Sequence, residues 1–252
     1  MRDVCLVVPC YNEERRLRGD LILEFVRTRA GSSVCLVDDG SSDATLVALE
    51  TLGARDKDHV LVLGLARNSG KAEAVRQGVL HAASLTRFAF IGYWDADLST
   101  PLTELDRLLG AFEAAPDCQL VFGSRVKRLG SNIVRNALRH YLGRVFSTMA
   151  SQLLDLPVYD SQCGAKVFRA ELAPTLFAEP FATRWLFDVE LLVRLRQRLG
   201  PDGFLRAAVE VPLGAWHEMG GSKLRLAHMA TAPFDLLKIR ARYTRRLLRP
   251  EP

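Results

Sequence analysis

No stretch of the 252-residue chain approaches the roughly 18 uncharged apolar residues that a membrane-spanning helix needs, so no bilayer span is expected. Cysteine is sparse and scattered: Cys5, Cys10, Cys35, Cys118 and Cys163 are odd in number and form no C-x-x-C pair. This argues against a disulfide framework or a zinc ribbon and reads as reduced thiols in a cytoplasmic core. No H-E-x-x-H is present, and no G-x-G-x-x-G follows the first apolar run, which weakens a dinucleotide-binding reading. Gly70-Lys71 is not a Walker A motif, because five residues rather than four separate Gly64 from Gly70 and Ala72 replaces the Ser/Thr. The opening MRDVCLVVPCYNEE goes straight into a strand without the apolar core and cleavage site of a signal peptide. No repeat or linker divides the chain, so one domain over residues 1–252 is expected.

Charge is present but unevenly spread. The segment from Arg125 to Arg144 holds six Lys/Arg and no acid, and Lys223 to Arg249 holds eight against Asp235 alone. These two segments carry +13 of a net +5, leaving the remainder near −8. Such segregation points to an anionic partner at the basic segments and an acidic pocket elsewhere. Nucleic acid has no motif behind it and is not expected.

Apolar runs at Val4–Val8, Val34–Val37, Val60–Leu65, Phe88–Trp94 and Gln119–Ser124 alternate with helical patterns starting near Tyr11, Ala44, Lys71 and Pro101. That alternation predicts an α/β fold, a Rossmann-like, mostly parallel sheet flanked by helices. Ligands of such sheets gather beyond the carboxyl ends of the strands. Pro9, Tyr11, Glu13, Asp38, Asp39, Asp95, Asp97 and Arg125 each fall just past a predicted strand.

The pivotal stretch is FAFIGYWDADLSTP, Phe88 to Pro101. In an extended chain Asp95 and Asp97 would point the same way. Two adjacent carboxylates repel unless a cation lies between them, and a divalent ion with oxygen ligands fits that need. Helix capping is the plain alternative, but Thr100-Pro101 reads as a better N-cap and N1 pair.

The second half predicts amphipathic helices. Leu138, Leu142, Val145, Met149 and Leu153 keep helical spacing, with Arg135, Arg139 and Arg144 along the same segment. Asp188 and Glu190 open a helix from Trp185, where acids also suit the helix dipole. At the C-terminal end Lys238, Arg242, Arg245 and Arg249 line one face beside Leu236, Ile239, Tyr243 and Leu247. This face suits either an anionic membrane surface or a solvated helix packed by one side.

VPCYNEE, VDDGSSD, NSGKAEAVRQG, DADLSTP and GSR, in this order and spacing, resemble the family 2 glycosyltransferases with the GT-A fold. DSQCGAKVF, WLFDVELL and GGSKLR are similar to the branch that glycosylates polyprenyl phosphates, dolichyl-phosphate β-glucosyltransferases above all. The resemblance covers about Val4 to Arg246. It implies a nucleotide-sugar half over about 1–125 and an acceptor- and membrane-facing half over about 126–252. Pro9, Tyr11, Glu13, Asp38, Asp39, Lys71 and Asp95 would bind the donor nucleotide, with Tyr11 against the base and Asp38 supporting the turn beside Asp39. Asp95 and Asp97 would hold Mg²⁺ or Mn²⁺ on the donor diphosphate. Arg125, Arg135, Arg139 and Lys223 would meet the acceptor phosphate. Asp97, Arg125 and Asp188 form the implied catalytic set, with Asp188 as an orienting acid or a base. The implied reaction is inverting transfer, of glucose from UDP-glucose to a polyprenyl phosphate or of another sugar such as mannose from GDP-mannose. A saccharide hydroxyl acceptor, with Asp188 as base, stays open. The implied place is cytoplasmic and peripheral, on the inner face of the cell membrane. Where mannosyl relatives often carry a metal-ligating Gln, this chain has Ser99.

Overall fold

The structure is a computed structural model describing residues 3–134, 137–219 and 226–247, with side chains over 3–133, 143–219 and 231–244. In chain order the first half gives β1 (Val4–Cys10), α1 (Gly19–Thr28), β2 (Ser32–Asp38), α2 (Thr45–Ala54), β3 (Val60–Gly64) and α3 (Lys71–Ser84). It continues with β4 (Phe90–Trp94), α4 (Glu104–Ala114) and β5 (Leu120–Ser124). The second half gives β6 (Asn132–Val134), α5 (Ala137–Leu154), β7 (Ala165–Arg169), α6 (Ala173–Leu176), α7 (Phe187–Ala207), β8 (Ala208–Pro212), β9 (Ala215–His217) and α8 (Leu226–Leu247).

Seven strands form one sheet in the order β3-β2-β1-β4-β7-β5-β8, while β6 and β9 make a small parallel pair. Only β7 runs antiparallel to its neighbours in the large sheet. The expected mostly parallel α/β architecture is therefore present. Strand order grows outward from β1 through β2 to β3, then resumes on its other side with β4. The switch point lies between β1 and β4, and an α/β sheet takes its ligands beyond the carboxyl ends of the strands there.

Alternation along β1 splits the core into two layers. Cys5 and Val7 pack with α3, α7 and the buried side of α8, while Val4, Leu6, Val8 and Cys10 pack with α1, α2 and α4. Both faces of the sheet are covered, which is why its strands read as continuous apolar runs. All five cysteines are buried and free, and burial pushes the Cys35 and Cys163 thiols up to about 12.

Several local expectations are corrected. β1 runs through Pro9 instead of stopping there; its pairing with β4 has already ended at Val7, so only the β2 side continues past it. α1 starts at Gly19, not at Tyr11. Asn12 has φ +50°, and the segment after it is tied to the next loop by Glu13 and Glu14 N–H groups donating to Thr45 Oγ1 (2.8 and 3.0 Å). α4 starts at Glu104, so Thr100-Pro101 is not its cap; the Thr100 carbonyl accepts from Trp94 Nε1 at 2.7 Å. Among the described side chains of α5, Ser147, Ala150 and Leu154 are buried and Met149 and Leu153 pack partly buried against the core, whereas Val145 of the apolar stripe is 68% exposed; Leu138 and Leu142 lie outside the described side chains. α5 leans on α8, and the Val145–Met149–Leu153 stripe borders an open groove between them.

Candidate active site

β4 ends at Trp94, so Asp95 and Asp97 lie in a turn and not on an extended strand. Leu98, at φ +51°, closes the turn by donating its N–H to the Asp95 carbonyl at 3.0 Å. Asp97 Oδ1 accepts the Ser99 N–H at 2.9 Å, and the Ser99 carbonyl in turn accepts the His217 N–H at 2.9 Å. The carboxylates are neighbours because of this tight turn, not because of strand alternation. Burial, then the adjacent Asp95 charge, push the Asp97 carboxyl above its ordinary value.

Lys71, the first residue of α3, reaches Asp95 Oδ1 at 2.5 Å and lies 5.5 Å from the centre of the Phe187 ring. Burial opposes its charge, but Asp95, Asp188 and Asp97 together hold the ammonium well above its usual range. Gly70 before it has φ +94°, a conformation side chains rarely adopt. The loop leading in is built on Asp39, whose carboxylate accepts from Ser69 N–H and Gly70 N–H (both 2.8 Å) and from Asn68 Nδ2 (3.2 Å). Burial pushes Asp39 upward against those donors. Arg184 braces the same loop through Asn68 Oδ1 at 2.9 Å.

Asp38 is 2% exposed; one oxygen takes the Ser41 N–H at 3.1 Å, and Oδ1 is buried with no hydrogen-bond partner among the described residues. Such an orphan is expensive in a finished core. Tyr11, just past β1, is exposed, and Glu13 is buried and bonded by Arg16 at 2.9 Å.

On the opposite wall, Arg125 follows β5. Its Nε and Nη2 clasp both oxygens of Asp160 at 2.7 Å, and its backbone N–H adds a third bond at 3.0 Å. Asp160 is itself placed by Glu210, which accepts the N–H groups of Tyr159 and Asp160 at 2.7 Å. Asp160 and, more weakly, Asp95 keep the buried guanidinium charged.

Asp188, at the start of α7, is 3% exposed. Its Oδ1 accepts from Tyr93 Oη and Lys166 Nζ, both at 2.6 Å. Burial and Asp188 push the Tyr93 hydroxyl well up, so it stays a donor.

The structure thus gathers Lys71, Asp95, Asp97 and Asp188 into one charge cluster, with Asp38 and Asp39 on one flank and Arg125 on the other. Arg135, Arg139 and Lys223 lie outside the described side chains. Lys166, Asp160, Gly164, Tyr93 and Arg184 belong to the site but were not singled out from sequence. The available signal was Lys166 itself, a lone charge inside the apolar strand AKVF.

Asp95 and Asp97 are hard oxygen donors suited to Mg²⁺ or Mn²⁺, and their mutual repulsion is what a cation would relieve. Among the described residues no three His, Cys, Asp or Glu converge on one metal position. Two carboxylates leave coordination positions that a ligand's oxygens can fill.

Turn-borne acids and a clasped arginine thus meet at the switch point of a mostly parallel sheet, an arrangement that the solved structures below, GT-A glycosyltransferases, share in fold. The model of the Glycosyl transferase family 2 matches residues 5–177, and the chain belongs to that family. It is 32% identical over 240 residues to the dolichyl-phosphate beta-glucosyltransferase of Drosophila melanogaster, covering 88% of this chain and 69% of that protein. The Mus musculus dolichyl-phosphate beta-glucosyltransferase is 32% identical over 268 residues, covering 96% and 76%. Among solved structures, glucosyl-3-phosphoglycerate synthase from Mycobacterium tuberculosis in complex with Mn²⁺, uridine-diphosphate and phosphoglyceric acid superposes with TM-score 0.69. It is 22% identical, over 95% of this chain and 78% of that one. Mannosyl-3-phosphoglycerate synthase from Rubrobacter xylanophilus gives TM-score 0.69 at 20% identity, over 99% and 76%.

Proposed function

We propose that this glycosyltransferase moves glucose from UDP-glucose to the phosphate of a polyprenyl phosphate, with inversion at the anomeric carbon. The acceptor class and the sugar are those in the names of the dolichyl-phosphate relatives. The uracil nucleotide is the one bound by the structural neighbour. One observation carries the reading of the chemistry. Asp188, the acid positioned as a base for hydroxyl acceptors, is buried and receives two short hydrogen bonds on one oxygen. A group so engaged is poorly placed to take a proton. An acceptor that arrives ionised has no need of it, and a phosphomonoester with a second pKa of about 6 is largely dianionic at neutral pH.

In this reading Pro9, Tyr11, Glu13, Asp38 and Asp39 line the nucleoside end, with Asp39 toward the base or ribose and Asp38 supporting the turn through the Ser41 N–H. Asp95 and Asp97 would hold Mg²⁺ or Mn²⁺ together with the diphosphate. A divalent ion there supplies Lewis-acid stabilisation of the charge that departs with the nucleotide, several kcal/mol in such sites. Lys71 adds a fixed positive charge to the same pocket. Arg125, rigid in its Asp160 clasp, orients the acceptor phosphate for in-line attack, aided by Arg135, Arg139 and Lys223 from the basic segments.

No helix among the described residues is long and apolar enough to cross a membrane. A lipid acceptor would then be met at a surface. Phe234 and Leu237 on α8 are 73% and 52% exposed, and the α5–α8 groove is bordered by Val145, Met149, Arg144 and Arg240. Exposed apolar groups beside cations suit the anionic headgroup layer on the cytoplasmic face of the cell membrane.

The test is a transfer assay on polyprenyl phosphate across UDP-glucose, UDP-galactose and GDP-mannose, with Mn²⁺, Mg²⁺ or EDTA. Metal-dependent formation of a polyprenyl-phosphate glucoside is expected. Transfer to free saccharides in preference to the lipid, or full activity in EDTA, would refute it.

A further inference from the structure

Lys166 sits inside β7 with 0% of its side chain exposed. A buried ammonium is tolerated only when its charge and all three protons are matched. Here they are: Nζ donates to Asp188 Oδ1 at 2.6 Å, to the Cys163 carbonyl at 2.7 Å and to the Ser161 carbonyl at 3.0 Å. Two of the three partners belong to the loop that runs into β7 through Gly164.

That loop forms a wall of the acidic pocket. A Cβ on Gly164 would fall 1.9 Å from Asp95 Oδ2 and 2.3 Å from its Cγ, so the Asp95 carboxylate rests directly on this backbone. Its other oxygen is taken by Lys71 at 2.5 Å. Asp95 is thereby gripped from both sides, by a lysine on α3 and by a loop whose shape a second lysine fixes. An apolar side chain at 166 would fill the volume, yet it would leave two inward-turned carbonyls without a donor. They would turn to find one, and the wall would move with them.

We infer that Lys166 is a positioning residue for the donor diphosphate and its divalent ion, acting through the Ser161–Gly164 loop on Asp95. This rests on the donor reading given under the proposed function. A merely structural lysine would affect stability alone; a positioning lysine affects how much a metal strengthens nucleotide binding.

The two roles separate in the triple variant Lys166→Met, Asp188→Leu, Tyr93→Phe. Replacing a buried ionic cluster by apolar groups of similar size is often neutral or stabilising for the fold. UDP affinity is measured by calorimetry with and without Mn²⁺, alongside the melting temperature. The expected result is a protein that still melts cooperatively, with the strengthening of UDP binding by Mn²⁺ at least tenfold smaller than in wild type. A folded variant with UDP affinity in Mn²⁺ within twofold of wild type overturns the inference. Gly164→Ala decides the matter independently should the triple variant not fold. Its new Cβ meets Asp95 directly, so the same metal-specific weakening is expected, and unchanged affinity in Mn²⁺ overturns the inference. Wild-type protein that binds no UDP in Mn²⁺ would instead overturn the donor reading itself, a failure this control makes distinguishable.

Discussion

Asp188→Asn discriminates between the two acceptor chemistries. The asparagine keeps an oxygen for Tyr93 Oη and Lys166 Nζ, each now 2.6 Å from Oδ1, but removes the charge that Lys166 faces in a fully buried position. Losing one partner of a buried ion pair costs about 3–5 kcal/mol. The retained acceptor recovers part of this, so about 2–3 kcal/mol is expected, in line with hydrogen bonds to charged groups at ~1.5–3 kcal/mol. For a chain of this size that is a fall in Tm of about 4–12 °C, which leaves the enzyme folded at assay temperature against a typical stability of about 5–15 kcal/mol. The pocket geometry is preserved, so turnover on polyprenyl phosphate is expected to fall by no more than about tenfold, whereas a general base contributes ~10²–10⁴. The assay is kcat on polyprenyl phosphate at saturating UDP-glucose, with Tm and UDP affinity measured on the same preparation. A loss above 10³ in kcat, with UDP affinity unchanged and Tm lowered only as stated, would refute the reasoning and make Asp188 a base.

Asp97 predicts a pH dependence. Its carboxyl lies above the ordinary 3.8 through burial and Asp95, so the folded protein binds this proton more tightly than the unfolded chain. Unliganded stability therefore declines as pH rises from about 3.8 through the raised value, while Mn²⁺-dependent UDP affinity rises over the same window. Calorimetry from pH 7 downward should show the metal contribution fading before an ordinary aspartate would titrate, and Asp97→Asn should remove it at every pH. Tyr243→Phe deletes the hydroxyl that donates to Glu190 at 2.6 Å and accepts from Arg194 at 2.8 Å, docking α8 on α7. A loss of about 1–3 kcal/mol is expected, visible as faster hydrogen exchange in α8 with UDP affinity unchanged; equal protection would show that the docking is carried elsewhere. Phe234→Asp with Leu237→Asp should lower co-sedimentation with anionic vesicles at least fivefold, since each substitution removes apolar contact and adds repulsion. Unchanged binding would remove α8 from the membrane-facing surface.

The local chemistry was legible wherever one short segment carries both signal and role. Asp38-Asp39-Gly40 and Asp95-Ala96-Asp97 mark strand ends by their own residues, and the order of apolar runs sufficed for a mostly parallel sheet. Legibility failed where the cause was remote. The start of α1 was misplaced because Thr45 on another element takes the N–H groups of Glu13 and Glu14. On α5 the helix was legible and Met149 and Leu153 do pack against the core, but spacing could not show that Val145 would lie exposed, because a periodic pattern does not say which neighbour covers each position.

From the sequence alone come the identity of the acids, the placement of basic segments, the absence of a long apolar span and the kinship with family 2. Those are properties of composition and of short runs, and they survive without coordinates. Only the folded chain decides that Asp160 clasps Arg125, that Lys166 sits beneath Asp188 and that Gly164 backs Asp95. Each of these joins residues from different strands and helices. A buried charge takes its meaning from whichever partner the topology brings within about 3 Å, and that partner is fixed by strand order.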